Sequence, residues 1–307
     1  MTKKNNRMRI KPQYSSERGF TLFAYVFMTL LALVCILPCI HVAAKSISGG
    51  TLVVGGQIFL FPKQIQFDTM GYILKKTAFF NCLKNTIIVT VLGTFISMFT
   101  TITTAYPLSK PSLRGRRVIV LLYVFSMVFF GGIVPAYMVV NTLGLLDTYW
   151  ALILPFAIIQ FNMFVVKSYF EGIPESIEEA AYIDGAGDVQ TLTMIVLPMS
   201  TPIIATVSLL YAVNYWNNYF HAMMYTSSSS MKTLQVYLYD TIENGQALLE
   251  NLYGGAFGST VGQSLVNITT GGIVAAAVTL SIIPIILVYP FVQRYLIQGI
   301  TIGSVKG

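Results

Sequence analysis

Six apolar runs, each about as long as a membrane span, constrain the fold of this chain more than any other feature. A helix of roughly 20 apolar residues crosses the hydrocarbon core of a bilayer. The chain is 55% hydrophobic and 10% charged, and its mean hydropathy is +0.69, which excludes an ordinary soluble domain. We predict an all-α, polytopic membrane protein with six transmembrane helices, in the runs 20–44, 83–107, 118–140, 150–170, 200–224 and 270–293.

The positions of the basic residues predict how these helices are oriented. If the N-terminus is cytoplasmic, the inner side receives 13 of the 19 Lys and Arg residues, in keeping with the positive-inside rule. We expect cytoplasmic termini, a basic tail over 1–19 and a transmembrane domain over 20–307, with extracellular loops at 45–80 and 225–268. This placement explains the net charge of +7 without a nucleic-acid partner. The inner residues are Lys3, Lys4, Arg7, Arg9, Lys11, Arg18, Lys110, Arg114, Arg116, Arg117, Lys167, Arg294 and Lys306.

The polar segment 172–198 carries a second pattern. Pro174 suits the first position of a helix, Gly185 can end that helix, and Asp188 can cap a second one. We predict two short helices separated by a glycine turn. Taken alone, the segment is either a docking surface for a partner or a solvated amphipathic connector. Six of the chain's 12 carboxylates lie in it or directly before it: Glu171, Glu175, Glu178, Glu179, Asp184 and Asp188.

The spacing of seven residues in this segment resembles the cytoplasmic EAA loop of ABC-importer permeases. The residues are Glu179, Ala180, Ala181, Gly185, Ile195, Leu197 and Pro198. The sequence around them, over 172–178 and 184–186, and the end of the chain, over 293–307, are similar to the MalG-like sugar-permease branch. The resemblance extends from about the first predicted span to the last residue.

The resemblance implies that this loop forms a coupling helix, seated in a groove of an ATP-binding subunit, that passes the subunit's closure to the membrane helices. Glu179 would make the polar contact with the ATPase. Ala180 and Ala181 would allow close approach, and Gly185 would form the turn. The rest of the implied coupling set is Asp184, Ile195, Leu197 and Pro198.

The resemblance also implies partners and a cargo. The partners would be a second, non-identical permease, two ATP-binding cassette subunits and an extracellular solute-binding protein, in a bacterial cell membrane. The C-terminal tail, with Arg294 and Lys306, would also touch the ATPases. The sequence has no GxxxxGK[ST] phosphate loop, so we expect no enzymatic activity and no cofactor here, with ATP and Mg²⁺ on the partner subunits. The implied cargo is a carbohydrate, favouring an oligosaccharide, moved by alternating access.

Polar and aromatic residues within the fifth and fourth predicted spans form a candidate cargo path. Such residues inside a span usually face the bundle interior or a water-filled path. The alternative is that the amides hold helices together while the aromatic rings form an interfacial belt. His221, on the same helical row as Tyr211, is expected to be structural or interfacial. The candidates are Tyr211, Asn214, Trp216, Asn217 and Asn218, with Gln160 and Asn162 as weaker members.

The remaining polar residues of the spans predict no chemistry. We expect Thr100, Thr101, Thr103 and Thr104 to bond back to carbonyls of their own helix. Cys35, Cys39 and Cys82 are expected to be inert thiols, without a metal site.

Two alternatives to a sugar importer stay open. An ABC importer for a non-sugar solute would share the same loop. An ion-coupled secondary transporter is less favoured, because the spans contain almost no ionisable residue that could bind a coupling ion. A membrane-embedded enzyme is disfavoured because no nucleophile–base pair or ligand set stands out.

Overall fold

The computed structural model describes residues 15–129, 131–245 and 268–304; within 15–18 and 291–304 it describes the backbone and, of the side chains, only Gln293. Every regular element in these ranges is helical, which confirms the all-α prediction for them. Several predicted features lie outside the described part: most of the basic tail, part of the 225–268 loop, Lys306 and the side chain of Arg294. The helices are α1 Ser15–Ser46, α2 Gly50–Val54, α3 Asp68–Lys75, α4 Thr77–Ser109, α5 Arg116–Val128, α6 Ile133–Thr142, α7 Tyr149–Ile153, α8 Gln160–Glu171, α9 Glu175–Ile183, α10 Asp188–Thr191, α11 Leu197–Met199, α12 Thr201–Trp216, α13 Phe220–Tyr225, α14 Leu234–Glu243 and α15 Thr270–Ser304.

Three of these helices are long and apolar enough to cross a membrane without a break. They are α4, the part Gly19–Ser46 of α1 and the part Thr270–Pro290 of α15. Three bent pairs qualify if each is counted as one span: α5 with α6 (113°), Tyr149–Phe156 with α8 (50°), and Asp188–Met199 with α12 (84°). By length and composition the described helices therefore provide up to six spans, in agreement with the predicted number.

The predicted fifth span is wrong in one respect, because run 200–224 is not a single helix. Helix α12 ends at Trp216, and α13 begins at Phe220. The amide of Asn217 still donates to the carbonyl of Val213 at 3.1 Å. The two residues directly after α12 are Asn217 and Asn218. Asn side chains compete with the backbone for hydrogen-bonding groups, which favours the end of a helix. The expected helical row from Tyr211 to His221 is therefore interrupted.

The core of the molecule lies where α4 packs against α12 and α8. The side chains of Tyr211, Leu152 and Met163 are completely or almost completely buried there. Helix α1 lies outside this core, contacts α15, and exposes apolar side chains along most of its length. An exposed apolar surface of this extent is typical of a face covered by lipid or by another subunit.

Hydroxyl groups from α4 and α12 line the break between α7 and α8. The break leaves backbone groups without a helical partner, and irregular backbone at membrane depth is tolerated only where other protein groups satisfy it. Four bonds do so here. They are Tyr215 Oη to Ile153 O (3.2 Å), Ser97 Oγ to Phe156 O (3.3 Å), Thr100 Oγ1 to Ala157 O (2.5 Å) and Ile159 N to Tyr211 Oη (3.0 Å).

The threonines of α4 follow the sequence prediction only in part. The hydroxyl of Thr103 donates to a carbonyl one turn earlier in its own helix. The Thr100 oxygen lies 3.0 Å from the Ile96 carbonyl and closer to the Ala157 carbonyl, and its single hydrogen serves one of them at a time. The prediction is wrong for Thr101, whose buried hydroxyl shares a hydrogen bond of 2.7 Å with Tyr211. No hydrogen bond of the Thr104 hydroxyl is found among the described residues. Thr101 bonds across to α12 because it faces that helix in the core.

At one end of the bundle, which we call the basic end, lie Lys110, Arg114 and Arg116. At the opposite end, Asp147 joins two loops. One oxygen of its carboxylate accepts hydrogen bonds from the amides of Ser227 (2.7 Å) and Ser228 (2.9 Å) and from the Ser228 hydroxyl (3.1 Å). The amide of Asp147 donates to the carbonyl of Tyr225 at 3.0 Å, and its φ of 56° is one that Asp tolerates.

We predict that this connection is sensitive to acid. The hydrogen bonds from the Ser228 amide, which has the largest effect, and from the Ser227 amide hold the pKa of Asp147 below its ordinary value. Because the pKa is lower in the folded state, ionised Asp147 stabilises the fold at pH values above its ordinary pKa of 3.8. This stabilisation is lost as the pH falls through the lowered pKa. Hydrogen-exchange protection of the Ser227 and Ser228 amides should therefore fall at acidic pH in the unaltered chain. In Asp147→Asn it should be lower at neutral pH and nearly independent of pH; equal pH dependence in both would contradict the prediction.

Candidate coupling site

Helix α9 carries most of the acidic residues of the segment 172–198. It begins at Glu175, and Pro174 lies one position before the first helical turn, with φ −57° and ψ 129°. The prediction that Pro174 is the first helical residue is therefore wrong by one position. Glu175 and Glu178 lie in the first turn, where negative charge interacts favourably with the helix dipole.

The predicted glycine turn is present. Gly185 has φ +86°, a left-handed conformation that glycine adopts without steric cost. The amide of Gly185 donates to the carbonyl of Tyr182 (3.1 Å), and the amide of Ala186 donates to that of Ala181 (2.9 Å). These two bonds form a Schellman motif, which satisfies the last carbonyls of α9.

Helix α10 begins differently from the prediction. Gly187, not Asp188, occupies the cap position, and its amide donates to the side-chain oxygen of Gln190 at 3.1 Å. Asp188 is the first helical residue, and its carboxylate accepts a hydrogen bond of 2.9 Å from the hydroxyl of Tyr182. Partial burial and then this hydrogen bond raise the pKa of Tyr182 above its ordinary value. The bond joins α9 to α10 across the turn.

The segment then bends by 84° into α12. Residues 192–196 form a π-helical turn. Pro198 has no N–H to donate to the carbonyl of Met194, and a missing bond of this kind favours a local change of helical pitch. Ile195 and Leu197 are half-buried, whereas Pro198 is exposed. Leu197 packs against the core, so it connects the loop to the membrane helices.

Exposed residues of this segment form a candidate docking surface. It combines acidic groups with exposed apolar side chains: Ile183 is 86% exposed, and Val189 and Met194 are more than 70% exposed. Ala181, in contrast, is buried. Of the implied contact residues, the structure thus places Ala180 but not Ala181 on the outside. We define the docking surface as Glu179, Ala180, Ile183, Asp184, Val189 and Met194.

The inward side of α9 contains a residue that sequence reasoning did not single out. Glu178 is only 8% exposed and forms an ion pair with Lys110, the residue directly after α4. The ammonium group of Lys110 also lies 4.5 Å from the centre of the Tyr106 ring. A charged residue buried on one side of an acidic helix predicts a specific partner, but sequence spacing alone does not identify it.

A second set of ion pairs fixes the end of α8. Glu171 accepts from Lys167 at 2.7 Å and also pairs with Arg116. Arg116 Nε donates to the carbonyl of Leu108 at 2.8 Å. Between these pairs and α9 lies an open groove of about 1140 Å³, lined by both basic and acidic side chains, including Arg114 and Glu179. The basic end is thus an electrostatically linked unit made of the 106–116 corner, α8 and α9.

This geometry agrees with what comparison with known proteins shows. Residues 86–302 match the family described as "Binding-protein-dependent transport system inner membrane component". The chain belongs to this family. It is 40% identical to the polygalacturonan/rhamnogalacturonan transport system permease protein YtcP of Bacillus subtilis, over 95% of this chain and 99% of that protein. It is 38% identical to protein LplC of the same organism, over 94% and 96%.

A solved structure extends the agreement to the fold of this permease. It is a chain from a bacterial ABC transporter involved in the import of the acidic polysaccharide alginate. The TM-score is 0.83 at 37% identity, and the match covers 93% of this chain and 99% of that chain. The predicted resemblance to ABC-importer permeases is therefore confirmed, and the chain is a multi-pass membrane permease.

The permease does not place all the predicted cargo-path residues together. Tyr211 and Asn162 are buried within the chain, so neither faces an open path in this conformation, and their contact with cargo stays a prediction. Trp216 is half-buried, with an indole N–H that has no partner among the described residues. Asn214 and Asn217 are exposed. These last two are the strongest remaining candidates for contact with cargo.

The other two predicted path residues form local hydrogen bonds in the permease. Asn218 lies 3.2 Å from the ring of His221, within the break between α12 and α13. Gln160 donates to the hydroxyl of Ser126 at 3.3 Å and joins the start of α8 to α5. Both contacts are consistent with the alternative in which span amides hold helices together.

Proposed function

We propose that this chain is one of two transmembrane subunits of an ATP-driven, binding-protein-dependent importer for oligosaccharides. The observation that carries the proposal is the exposed mixed acidic and apolar docking surface on a helix–turn–helix in a chain of this family. The second subunit is a related permease, and ATP and Mg²⁺ bind to two separate cassette subunits. The basic end faces the cytoplasm, since the positive-inside rule places Lys110, Arg114 and Arg116 there.

The docking surface receives the ATPase in this proposal. Exposed apolar groups next to carboxylates fit a partner cleft that is itself apolar with a basic rim. Closure of the two ATPases moves α9, and the connected helices convert that movement into alternating access. The extracellular binding protein delivers cargo at the opposite end.

We further propose that the cargo is an acidic oligosaccharide. Support comes from the names of two relatives, which transport polygalacturonan or rhamnogalacturonan and alginate, at 40% and 37% identity. The opposite end also has exposed Lys63, Lys75 and Lys84, which form no ion pair with any described residue. The carboxylates of Asp147 and Asp240 are already engaged by serines and by Lys232, which leaves Asp68 and Glu243 as exposed carboxylates of the outer segments beside these three lysines. Exposed positive groups at an entrance favour encounter with an anionic solute.

The test is uptake into vesicles that contain the complete transporter and its loaded binding protein. Uronate oligosaccharides and neutral oligosaccharides of the same length form the panel. The proposal predicts uptake of the uronate cargo that requires internal ATP and persists when an ionophore collapses the ion gradients. Uptake of the neutral sugars alone would contradict the acidic cargo, and ATP-independent, ionophore-sensitive uptake would contradict the importer.

A further inference from the structure

We propose that Glu178 is a positioning residue which, through Lys110, fastens the coupling helix α9 to the membrane helix α4, so that the two move as one body. The inference rests on the proposed function of the loop. It assigns a role to the inward side of α9, whereas the docking surface lies on the outward side.

The ion pair between Glu178 and Lys110 is largely buried. The Glu178 side chain is 10% exposed and that of Lys110 is 25% exposed. An ion pair on a protein surface contributes little, but removal of one partner from a largely buried pair leaves an uncompensated charge and strongly destabilises that arrangement. The Tyr106 ring beside Lys110 adds a cation–π contact. The pair is thus a specific connection and not one of many solvated contacts.

Lys110 is connected directly to the central helix of the bundle. It directly follows α4, whose last turns contain Tyr106, a buried residue in edge-to-face contact with Phe170 of α8 (6.1 Å between ring centres). Helix α4 in turn packs against α12 and α8 through the core. A displacement of α9 that keeps the ion pair intact must therefore move the helix at the centre of the bundle.

Glu178 differs from the neighbouring carboxylates of this segment in its burial. Glu175, Glu179, Asp184 and Asp188 are all exposed on the same segment, and none forms an ion pair with a described residue. Glu178 is the acidic residue of α9 that faces the protein. Glu178 and Glu179 are adjacent and project about 100° apart around the helix. Glu178 therefore contacts Lys110 within the chain, while Glu179 is exposed and free to contact a partner.

The test is charge exchange in the complete transporter, with uptake and ATP hydrolysis measured together. Glu178→Lys and Lys110→Glu should each lower the amount of cargo transported per ATP about tenfold, while the ATPases still co-purify. The double exchange, Lys110→Glu with Glu178→Lys, should restore the ratio to within about twofold. Glu175→Gln changes an exposed carboxylate of the same helix without placing a cation at its N-terminus, and should leave the ratio close to that of the unaltered chain.

A cross-link tests whether the two helices move together. In a chain whose native cysteines are replaced, Lys110→Cys and Glu178→Cys are joined by a short bifunctional thiol reagent. Because the proposal holds that the pair persists through the cycle, cross-linked transporter should retain uptake. Arrest of uptake by the cross-link would overturn the proposal, as would failure of the double exchange to restore the ratio.

The same experiment separates this inference from the proposed function. A Glu179→Ala arm is measured in parallel. If Glu179→Ala loses uptake while the Glu178 and Lys110 variants keep the normal ratio, only the positioning role is overturned. If Glu179→Ala and all the other variants behave like the unaltered chain, the coupling function of the loop fails and the inference fails with it.

Discussion

Replacing Gly93 with leucine is expected to prevent stable folding of this chain. Gly93 lies inside α4 where Tyr215 of α12 packs directly on the helix backbone. An added Cβ would lie 2.7 Å from Cζ and 2.8 Å from both Cε atoms of the Tyr215 ring. The ring cannot move aside easily, since it is 3% exposed and its hydroxyl bonds to Ser97 and to the Ile153 carbonyl. A whole leucine side chain should cost about 3 kcal/mol of unfolding free energy or more.

Alanine substitutions at two glycines provide a matched comparison, because the expected change in stability differs between the two positions. Alanine improves helix propensity over glycine by about 1 kcal/mol, whereas overpacking in a dense core costs about 1–3 kcal/mol. Gly93→Ala should therefore lower stability, while Gly71→Ala in α3, where a Cβ meets no atom within 4 Å, should raise it or leave it unchanged. The measurement is the temperature at which half of the detergent-solubilised transporter is lost on heating. Equal shifts for the two alanine variants would contradict the close contact.

Removing the hydroxyls of Tyr211 and Tyr215 together is expected to have the second largest effect. Tyr211→Phe leaves the amide of Ile159 without its partner, and Tyr215→Phe removes the side-chain hydrogen bond to the carbonyl of Ile153. Each unsatisfied buried group costs about 1–3 kcal/mol. The two hydroxyls serve different backbone groups but lie one turn apart at the same break, so the double variant should lose more than either single variant and no more than about their sum.

The control for this pair is Tyr225→Phe. Tyr225 is equally buried, but its hydroxyl forms no hydrogen bond with a described residue. The same heating assay should show a loss for Tyr211→Phe and for Tyr215→Phe, and little change for Tyr225→Phe. Similar losses in all three variants would indicate that the tyrosines contribute packing alone, without support of the break between α7 and α8.

The helix–turn–helix of the docking loop was predictable because its determinants are local. Gly185 supplies a left-handed residue, and the first-turn glutamates favour a helix start. Both are read from neighbours along the chain. The errors at Pro174 and Asp188 are one-position errors at helix ends, where several residues can satisfy the same amides.

The partners of Glu178 and Tyr211 could not be predicted in the same way. Lys110 is 68 residues away from Glu178, and Thr101 is 110 residues away from Tyr211. Such contacts depend on how helices rotate against one another, and a polar residue in an apolar run is compatible with cargo contact, helix contact or backbone support. The sequence therefore predicts a cargo-path role for Tyr211, whereas its hydroxyl in the fold accepts a hydrogen bond from the amide of Ile159 at a helix break; contact with cargo stays a prediction. Hydrophobicity likewise predicted up to six spans but not their bends, and the break between α7 and α8 is supported by tertiary hydrogen bonds that no local pattern contains.

The most direct test of the proposed coupling is ATP hydrolysis stimulated by the loaded binding protein, measured together with uptake in Glu179→Ala and in its matched control Glu175→Ala. Both residues are exposed on α9 one turn apart, but the family resemblance implies the ATPase contact for Glu179 and not for Glu175. We predict that Glu179→Ala lowers both activities about tenfold or more while the chain remains folded in the membrane, and that Glu175→Ala stays close to the unaltered chain. Full stimulated hydrolysis and uptake in Glu179→Ala would show that this residue is not a point at which ATP-driven movement enters the permease.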